Sequence, residues 1–289
     1  AFKSDNPGRS LSCGYRYFIC GRAVFLLDNF IKKEKRMLKL ENVSIYRSEL
    51  CVANAINSEF EAGKVYAILG PNGAGKTSLI SAVFGDLAFK GAIKHKEFEL
   101  SLKNHFAWKK RIAYMPQDSV VDASLSALEV VLLGLIDELG MYVNDSQIKQ
   151  ALSLMDELGI LHLAGRDILN LSGGQRQMVM FASVLIKAPE ILLLDEPVSA
   201  LDMHHQCVLL ECVRSYTRKE KLITVVILHD LSLASQFADE LVVLSDAKIW
   251  AQGGAKSVLT KDLIENLYKI KANIFYDEGD KPVIVAKSA

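Results

Sequence analysis

The chain has 289 residues, half of them apolar and 24% charged, with 34 Lys and Arg against 34 Asp and Glu. That length carries one large or two smaller domains whose core needs neither disulfide nor structural metal, and the balanced charge supplies no general field for a polyanion, so nucleic acid is not an expected partner. The cysteines Cys13, Cys20, Cys51, Cys207 and Cys212 contain no Cys-x-x-Cys pair, which argues against a zinc knuckle and for a reducing compartment, and no apolar run approaches the roughly 18 to 20 residues of a membrane-spanning helix.

In chain order, residues 1–36 hold an apolar stretch, Tyr17 to Ile31, interrupted by Arg22 and Asp28 and followed by Lys32-Lys33-Glu34-Lys35-Arg36. A signal peptide has the opposite order, so the segment reads as a leader or extension, with an amphipathic membrane-surface helix as the alternative. The main domain is expected over 37–289. Residues 38–69 alternate short β-rich runs with turn signals, and Val65 to Leu69 forms a compact apolar strand entered from Glu61-Ala62-Gly63. A glycine-rich turn leads to a helix over Thr77 to Phe84, stopped by Gly85, and residues 86–115 return to short, mixed β-like segments.

From Leu125 to Asn170 the pattern is helical. Ile148, Ala151, Leu152, Met155 and Leu158 share one face, Asn144 and Asp145 are cap candidates, and Gly159 is a stop. A helical subdomain over about 120–172 is therefore inserted in an α/β chain. Next come a helix over Gln175 to Lys187 halted before Pro189, a strand Ile191 to Leu194, a helix near Met203 to Arg218, and a strand Leu222 to Leu228. Uniformly apolar strands alternating with helices predict a mainly parallel sheet covered on both faces. The tail predicts a helix over Ser257 to Tyr268, then Asn273 to Tyr276 and Pro282 to Val285 about Asp277-Glu278-Gly279-Asp280, forming a C-terminal appendage at about 255–289.

Three strings carry the chemistry. Gly70-Pro71-Asn72-Gly73-Ala74-Gly75-Lys76-Thr77 matches G-x-x-x-x-G-K-[ST] between a strand and a helix. Its glycines let backbone N–H groups turn toward phosphate oxygens at a helix N-terminus, Lys76 reaches the β- and γ-phosphates, and the Thr77 hydroxyl suits Mg²⁺. Ile191 to Asp195 is an apolar strand delivering Asp195 toward such a metal, and Glu196 follows as a carboxylate able to orient and deprotonate water. Leu171-Ser172-Gly173-Gly174-Gln175 reads as a second anion-binding helix start, with Ser172 as N-cap and two glycines permitting close backbone approach. One nucleotide has one γ-phosphate, already cradled by the first loop. The second element makes most sense serving a nucleotide held by another copy of the chain.

Here the sequence resembles the ATP-binding-cassette family. Gly70 to Thr77 is similar to its Walker A loop, Leu192 to Glu196 to its Walker B strand, and Leu171 to Gln175 to its signature motif. Tyr114-Met115-Pro116-Gln117 resembles the Q-loop, Ser199 to Asp202 the D-loop, and His229 the switch histidine, all in the family's order over roughly 38–289. The resemblance implies an α/β P-loop NTPase core with an antiparallel β subdomain and the inserted helical subdomain. It implies an ATP-binding set of Tyr46, Gly70, Pro71, Asn72, Gly73, Ala74, Gly75, Lys76, Thr77, Ser78 and Gln117, with Tyr46 placed like the aromatic that stacks on adenine, or else in core or turn packing. Glu196, His229 and Lys76 are the implied catalytic residues, and Thr77, Gln117 and Asp195 the implied Mg²⁺ contacts. Ser172, Gly173, Gly174 and Gln175 would act in trans, and Asp202 across the dimer. His204 and His205, without a carboxylate or cysteine at ligand spacing, read as surface or interface residues.

The implied activity is ATP hydrolysis by a dimer holding two Mg-ATP at its interface. No membrane domain is fused, which points to a separate-subunit importer peripheral to the cytoplasmic face of the membrane. Its partners would be a second copy, multi-spanning permease subunits and, indirectly, a substrate-binding protein. The tail from His229 to Ile270 resembles the ATPases of iron-siderophore, haem and vitamin B12 importers, with two departures: Ala247 stands where a turn glycine is usual, and Gly254-Ala255 replaces Gly-x-Pro. The alternatives are an importer of another class, such as zinc or manganese, and a non-transport regulatory cassette.

Overall fold

The computed structural model describes residues 36–117, 123–136 and 143–287. Residues 1–35 of the expected 1–36 leader, residues 120–122 and 137–142 of the expected helical insertion and residues 288–289 of the expected appendage lie outside this set.

The first two strands, β1 (Met37–Arg47) and β2 (Leu50–Glu61), form a long antiparallel ribbon. Residues of β1 alternate between buried Leu38, Leu40, Val43 and Ile45 and more exposed neighbours, the period of a half-buried strand. β3 (Lys64–Leu69) leads through the glycine turn into α1 (Lys76–Phe84), whose C-terminal Gly85 has φ 96° and closes the last turn as anticipated. β4 (Phe89–His95) and β5 (Phe98–Glu99) extend the first sheet in the order β2-β1-β4-β5. A short helix, α2 (His105–Lys109), then interrupts a region expected to be β-like. It is pinned by Trp108, which is 1% exposed and donates its indole N–H to Val83 O at 2.8 Å. No periodicity in five residues could reveal that anchor.

β6 (Ile112–Met115) enters the second sheet, and α3 (Ala127–Leu133) and α4 (Asp145–Glu157) follow. Asn144 caps α4 in a reciprocal box with Gln147, and Gly159 at φ 72° ends that turn, as the sequence predicts. α5 (Gly173–Leu185) begins two residues earlier than expected, because the Ser172 hydroxyl accepts from Gln175 N while Gln175 caps Ser172 N in return, drawing both glycines into the first turn. β7 (Ile191–Asp195), α6 (Met203–Glu220), β8 (Ile223–Ile227), α7 (Leu231–Phe237), β9 (Glu240–Ser245) and β10 (Lys248–Gly253) complete the core.

The second sheet runs β10-β9-β3-β8-β7-β6, parallel from β9 to β6 with β10 antiparallel at one edge. Every residue of β7 and β8 is buried because the sheet is covered twice. Ala67, Leu69, Leu192, Leu194 and Val226 face a core shared with Val131, Met155, Phe181 and Leu210 of the helices. Tyr66, Ile68, Leu193, Val225 and Ile227 face the other, made with Leu79 and Ile80 of α1 and with Leu38 and Leu40 of β1. The β9–β10 turn carries Asp246 at φ 48° and Ala247 at φ 59°, so the departure from glycine at 247 leaves the left-handed turn intact.

The tail differs from the single expected helix. It breaks into α8 (Ala255–Val258) and α9 (Lys261–Tyr268) because the Thr260 hydroxyl accepts from Leu263 N and starts a new helix. β11 (Lys271–Tyr276) and β12 (Pro282–Lys287) pair as a hairpin around the acidic turn. Ser232 on α7 ties that hairpin down, its hydroxyl accepting from Ile284 N at 2.8 Å.

Candidate functional site

The glycine turn between β3 and α1 is shaped by close backbone approaches. A Cβ at Gly70 would lie 2.1 Å from Leu244 O, and one at Gly75, where φ is 91°, would lie 2.3 Å from Val52 O. Side chains are thus excluded from both ends of the loop. Gly75 gives α1 no side-chain cap, an arrangement that leaves first-turn N–H groups able to bind an anion. Lys76 is 7% exposed, and its ammonium donates to Gly70 O at 2.8 Å and Pro71 O at 3.0 Å. Burial lowers its pKa, opposed by the nearby Glu196 and Asp195 carboxylates.

The carboxyl end of β7 brings two acids to this loop. Asp195 is buried and accepts from the Thr77 hydroxyl at 3.2 Å; burial raises its pKa, against the Thr77 bond and the Lys76 charge. A buried carboxylate beside a hydroxyl is a hard-oxygen pair of the kind Mg²⁺ prefers. Among the described residues no cluster of three or more His, Cys, Asp and Glu could hold a metal, so an ion here would draw its remaining ligands from phosphate and water.

Glu196, the next residue, takes φ 50°, a left-handed conformation that costs a non-glycine residue on the order of 1 kcal/mol or more. That conformation presents its carboxylate to two elements distant in sequence. Oε2 accepts from Gln117 Nε2 at 2.9 Å, and Oε1 lies 2.5 Å from His229 Nε2. His229 is exposed, at 45%, rather than a satisfied core histidine. A cleft of about 740 Å³ lies over these groups, lined by Asn72 to Ser78 together with Gln117, Glu196 and His229.

Other expected residues stand apart from this cleft. Ser172 to Gln175 and Asp202 do not line it. Tyr46 does not line it either. Its ring lies 5.2 Å from Lys90 Nζ, while Arg47, Leu50 and Val52 line the cleft instead. Adjacent strand residues point to opposite faces, and a register shift between Ile45 and Tyr46 sets which one faces the cleft. Strand alternation offered a hint of Arg47, but the shift is invisible in sequence. The reading of His204 and His205 as lacking a carboxylate also needs correction: Asp202, one helical turn ahead, places both oxygens 2.8 Å from His205 Nδ1. Tyr268, on α9, was not anticipated at all. Its hydroxyl sits beside the Gly70 backbone, and burial pushes its pKa up to about 12.

Comparison with known proteins places this geometry among relatives. The profile of the ABC transporter family matches residues 53–199. The hemin import ATP-binding protein HmuV of Photobacterium damsela subsp. piscicida is 36% identical over 260 residues, covering 86% of this chain and 96% of that protein. The cobalamin import ATP-binding protein BtuD of Halobacterium salinarum is 32% identical over 235 residues, covering 81% of this chain and 59% of that longer protein. A solved chain from an inward-facing, metal-chelate type ABC transporter superposes with a TM-score of 0.76 at 23% identity, covering 88% of this chain and 98% of the other, and so shares its fold. Because Lys76 and Thr77 of the phosphate loop share one cleft with Glu196 and His229, and because the family profile spans half of the chain and the hemin-import relative is matched over 96% of its length, the chain belongs to the ABC transporter family as one of its ATP-hydrolysing subunits.

Proposed function

We propose that the chain is the energy-coupling ATPase of an importer for haem, cobalamin or an iron chelate, working as a pair of copies at the cytoplasmic face of a multi-spanning permease. The relatives named for hemin and cobalamin import support the cargo class. Among the described residues no helix is long and apolar enough to cross a membrane, and the proposed role assigns the crossing to partner permease subunits. The proposed organisation is a main domain over 37–289, a helical insertion at about 120–172 and a C-terminal appendage from about 255.

In this reading Lys76 and the N–H groups of the 70–77 loop bind the β- and γ-phosphates and neutralise charge developing on them. Thr77, Asp195 and Gln117 would hold Mg²⁺, which when bound would supply neutralisation of the phosphate charge. Glu196 orients water in line with the γ-phosphorus and takes its proton; His229, 2.5 Å from that carboxylate, holds the γ-phosphate side of the cleft. Ser172 to Gln175 of one copy close over the nucleotide of the other, and Asp202 acts across the same seam. Binding of ATP thereby favours the closed pair, and hydrolysis releases it.

The observation that carries the proposal is the convergence of Gln117, Glu196 and His229 on one cleft with the phosphate loop, while the Ser172 tip stays off it. Its test is Glu196→Gln. The variant is expected to bind ATP, associate into dimers, lose hydrolysis by roughly 10²- to 10⁴-fold, and abolish uptake of labelled haem, cobalamin or ferric chelate in cells carrying it. Hydrolysis at the wild-type rate removes Glu196 as the base, and strict monomers with bound Mg-ATP and permease supplied remove the paired arrangement.

A further inference from the structure

The two glycines at the tip of α5 occupy different surroundings. A Cβ at Gly173 would meet nothing within 4 Å, whereas one at Gly174 would lie 2.1 Å from Cδ2, 2.4 Å from Cγ and 2.8 Å from Nε2 of His205. Close approach by a phosphate can account for the first glycine; the second is already occupied by the chain's own imidazole. That ring has little freedom to retreat. Its Nδ1 lies 2.8 Å from both carboxylate oxygens of Asp202, Asp202 Oδ1 also accepts from His205 N at 2.9 Å, and the His204 ring meets it edge-on at 5.3 Å.

The segment between Glu196 and His205 is braced against α5 a second time. Gln177 Nε2 donates to Pro197 O at 2.8 Å, and Gln206 Nε2 donates to Val198 O at 3.2 Å and Leu201 O at 3.0 Å, fixing the intervening turn. The acid that faces this chain's own cleft and the tip that stands away from it are therefore joined by short, packed connections at both ends of one segment.

We propose that His205 is a positioning residue: held by Asp202, its imidazole packs on Gly174 and locks the Ser172–Gln175 tip to the Glu196–Asp202 segment, so that the surface offered to a second copy's nucleotide is set by this ring. The proposal rests on the reading of that tip as acting in trans. Gly174 is required as glycine by His205 of the same chain, and Gly173 is the position left open for the incoming ligand. His205 touches no reacting atom, so its removal affects closure and turnover while leaving the chain's own phosphate loop intact.

The test is a double-mutant cycle over His205→Ala and Gly174→Ala, made in the full chain with and without Glu196→Gln. Three quantities are read: affinity for a fluorescent ATP analogue, dimer fraction with Mg-ATP by light scattering, and kcat with the permease. His205→Ala is expected to keep nucleotide affinity within about two-fold while lowering kcat and ATP-driven dimerisation by about ten-fold or more. Gly174→Ala is expected to be at least as damaging alone but to add nothing to His205→Ala, because the clash leaves with the ring. If Gly174→Ala does not fold alone, its recovery in the His205→Ala background is the same result; a double variant that also fails to fold overturns the proposal. So do additive losses, or a His205→Ala protein that closes and turns over like wild type. If Glu196→Gln itself does not dimerise with Mg-ATP, the trans reading fails separately, and the same cycle read in melting temperature still decides the packing claim, additive losses again overturning it.

Discussion

Glu190, immediately ahead of the strand that ends in Asp195 and Glu196, offers a quantitative test of how the antiparallel sheet is fastened to the core. Its Oε2 contacts His95 Nε2 at 2.9 Å and accepts a short bond from Lys96, and its Oε1 accepts from Arg111 at 2.8 Å. Its backbone N–H donates to Arg111 O at 2.8 Å, and its carbonyl accepts from Ile223 N at 3.1 Å, so one residue joins β4, the entry to β6, β7 and β8. Burial alone would raise its pKa, but the bonds from Lys96 and His95 outweigh it and bring the carboxyl from 4.5 down to about 2. A depression of that size corresponds to roughly 3 kcal/mol at neutral pH, and the 29% exposure of the side chain lets solvent screening reduce this to about 1–2 kcal/mol. The folded pKa lies below the unfolded one, so the stabilisation is complete above the unfolded value of 4.5 and is lost as pH falls toward about 2. Urea unfolding of Glu190→Gln beside wild type should show a gap of about 1–2 kcal/mol at pH 7, unchanged to about pH 5 and closing below it. A gap that persists undiminished at pH 3, or that is absent at pH 7, refutes the reasoning.

Four further outcomes follow from the cleft. Gly75→Ala forces a Cβ to within 2.3 Å of Val52 O at φ 91° and should weaken ATP binding by about ten-fold or more in isothermal titration; unchanged affinity would mean the loop relaxes freely. Arg47→Ala should weaken binding of a fluorescent ATP analogue while Tyr46→Ala leaves it nearly unchanged, because Arg47 lines the cleft and Tyr46 does not; the reverse order would place Tyr46 at the nucleotide. Thr77→Ala and Asp195→Asn should raise the Mg²⁺ concentration for half-maximal hydrolysis by at least the roughly ten-fold that outer-shell partners of metal ligands are worth, and an unshifted requirement would remove them as metal contacts. Tyr268→Phe removes the hydroxyl beside Gly70 and should raise KM for ATP by roughly two- to ten-fold, the equivalent of one hydrogen bond of about 0.5–1.5 kcal/mol, with kcat less affected; an unchanged KM would show that α9 does not support the loop.

What was legible in advance has a local cause. Thr77 to Phe84 reads as a helix because its apolar residues and terminal Gly85 lie within one short window, and Asn144 is a cap candidate by residue type alone, the role it takes in the structure. Apolar runs such as Ile191 to Leu194 announce strands buried on both faces, and the order of strands and helices then leaves a parallel sheet as the economical solution. The spacing of glycines and lysine in 70–77 is likewise a short-range requirement of phosphate binding, and it survives in the observed loop.

The residues that no local pattern announces owe their places to contacts between distant segments. α2 exists because Trp108 finds Val83 O, and Tyr268 reaches Gly70 from the far end of the chain. The register shift beside Tyr46 decides whether position 46 or 47 faces the cleft, and a slip of one residue exchanges the two faces of a strand. Gly174 shows the division most plainly. The amino-acid order alone establishes that a glycine-rich helix tip is present, since its cap and its spacing are matters of a few neighbouring residues. Only the packed chain decides that one glycine is left open while the other is filled by His205, because the room around an α-carbon is set by whichever side chain the fold brings against it.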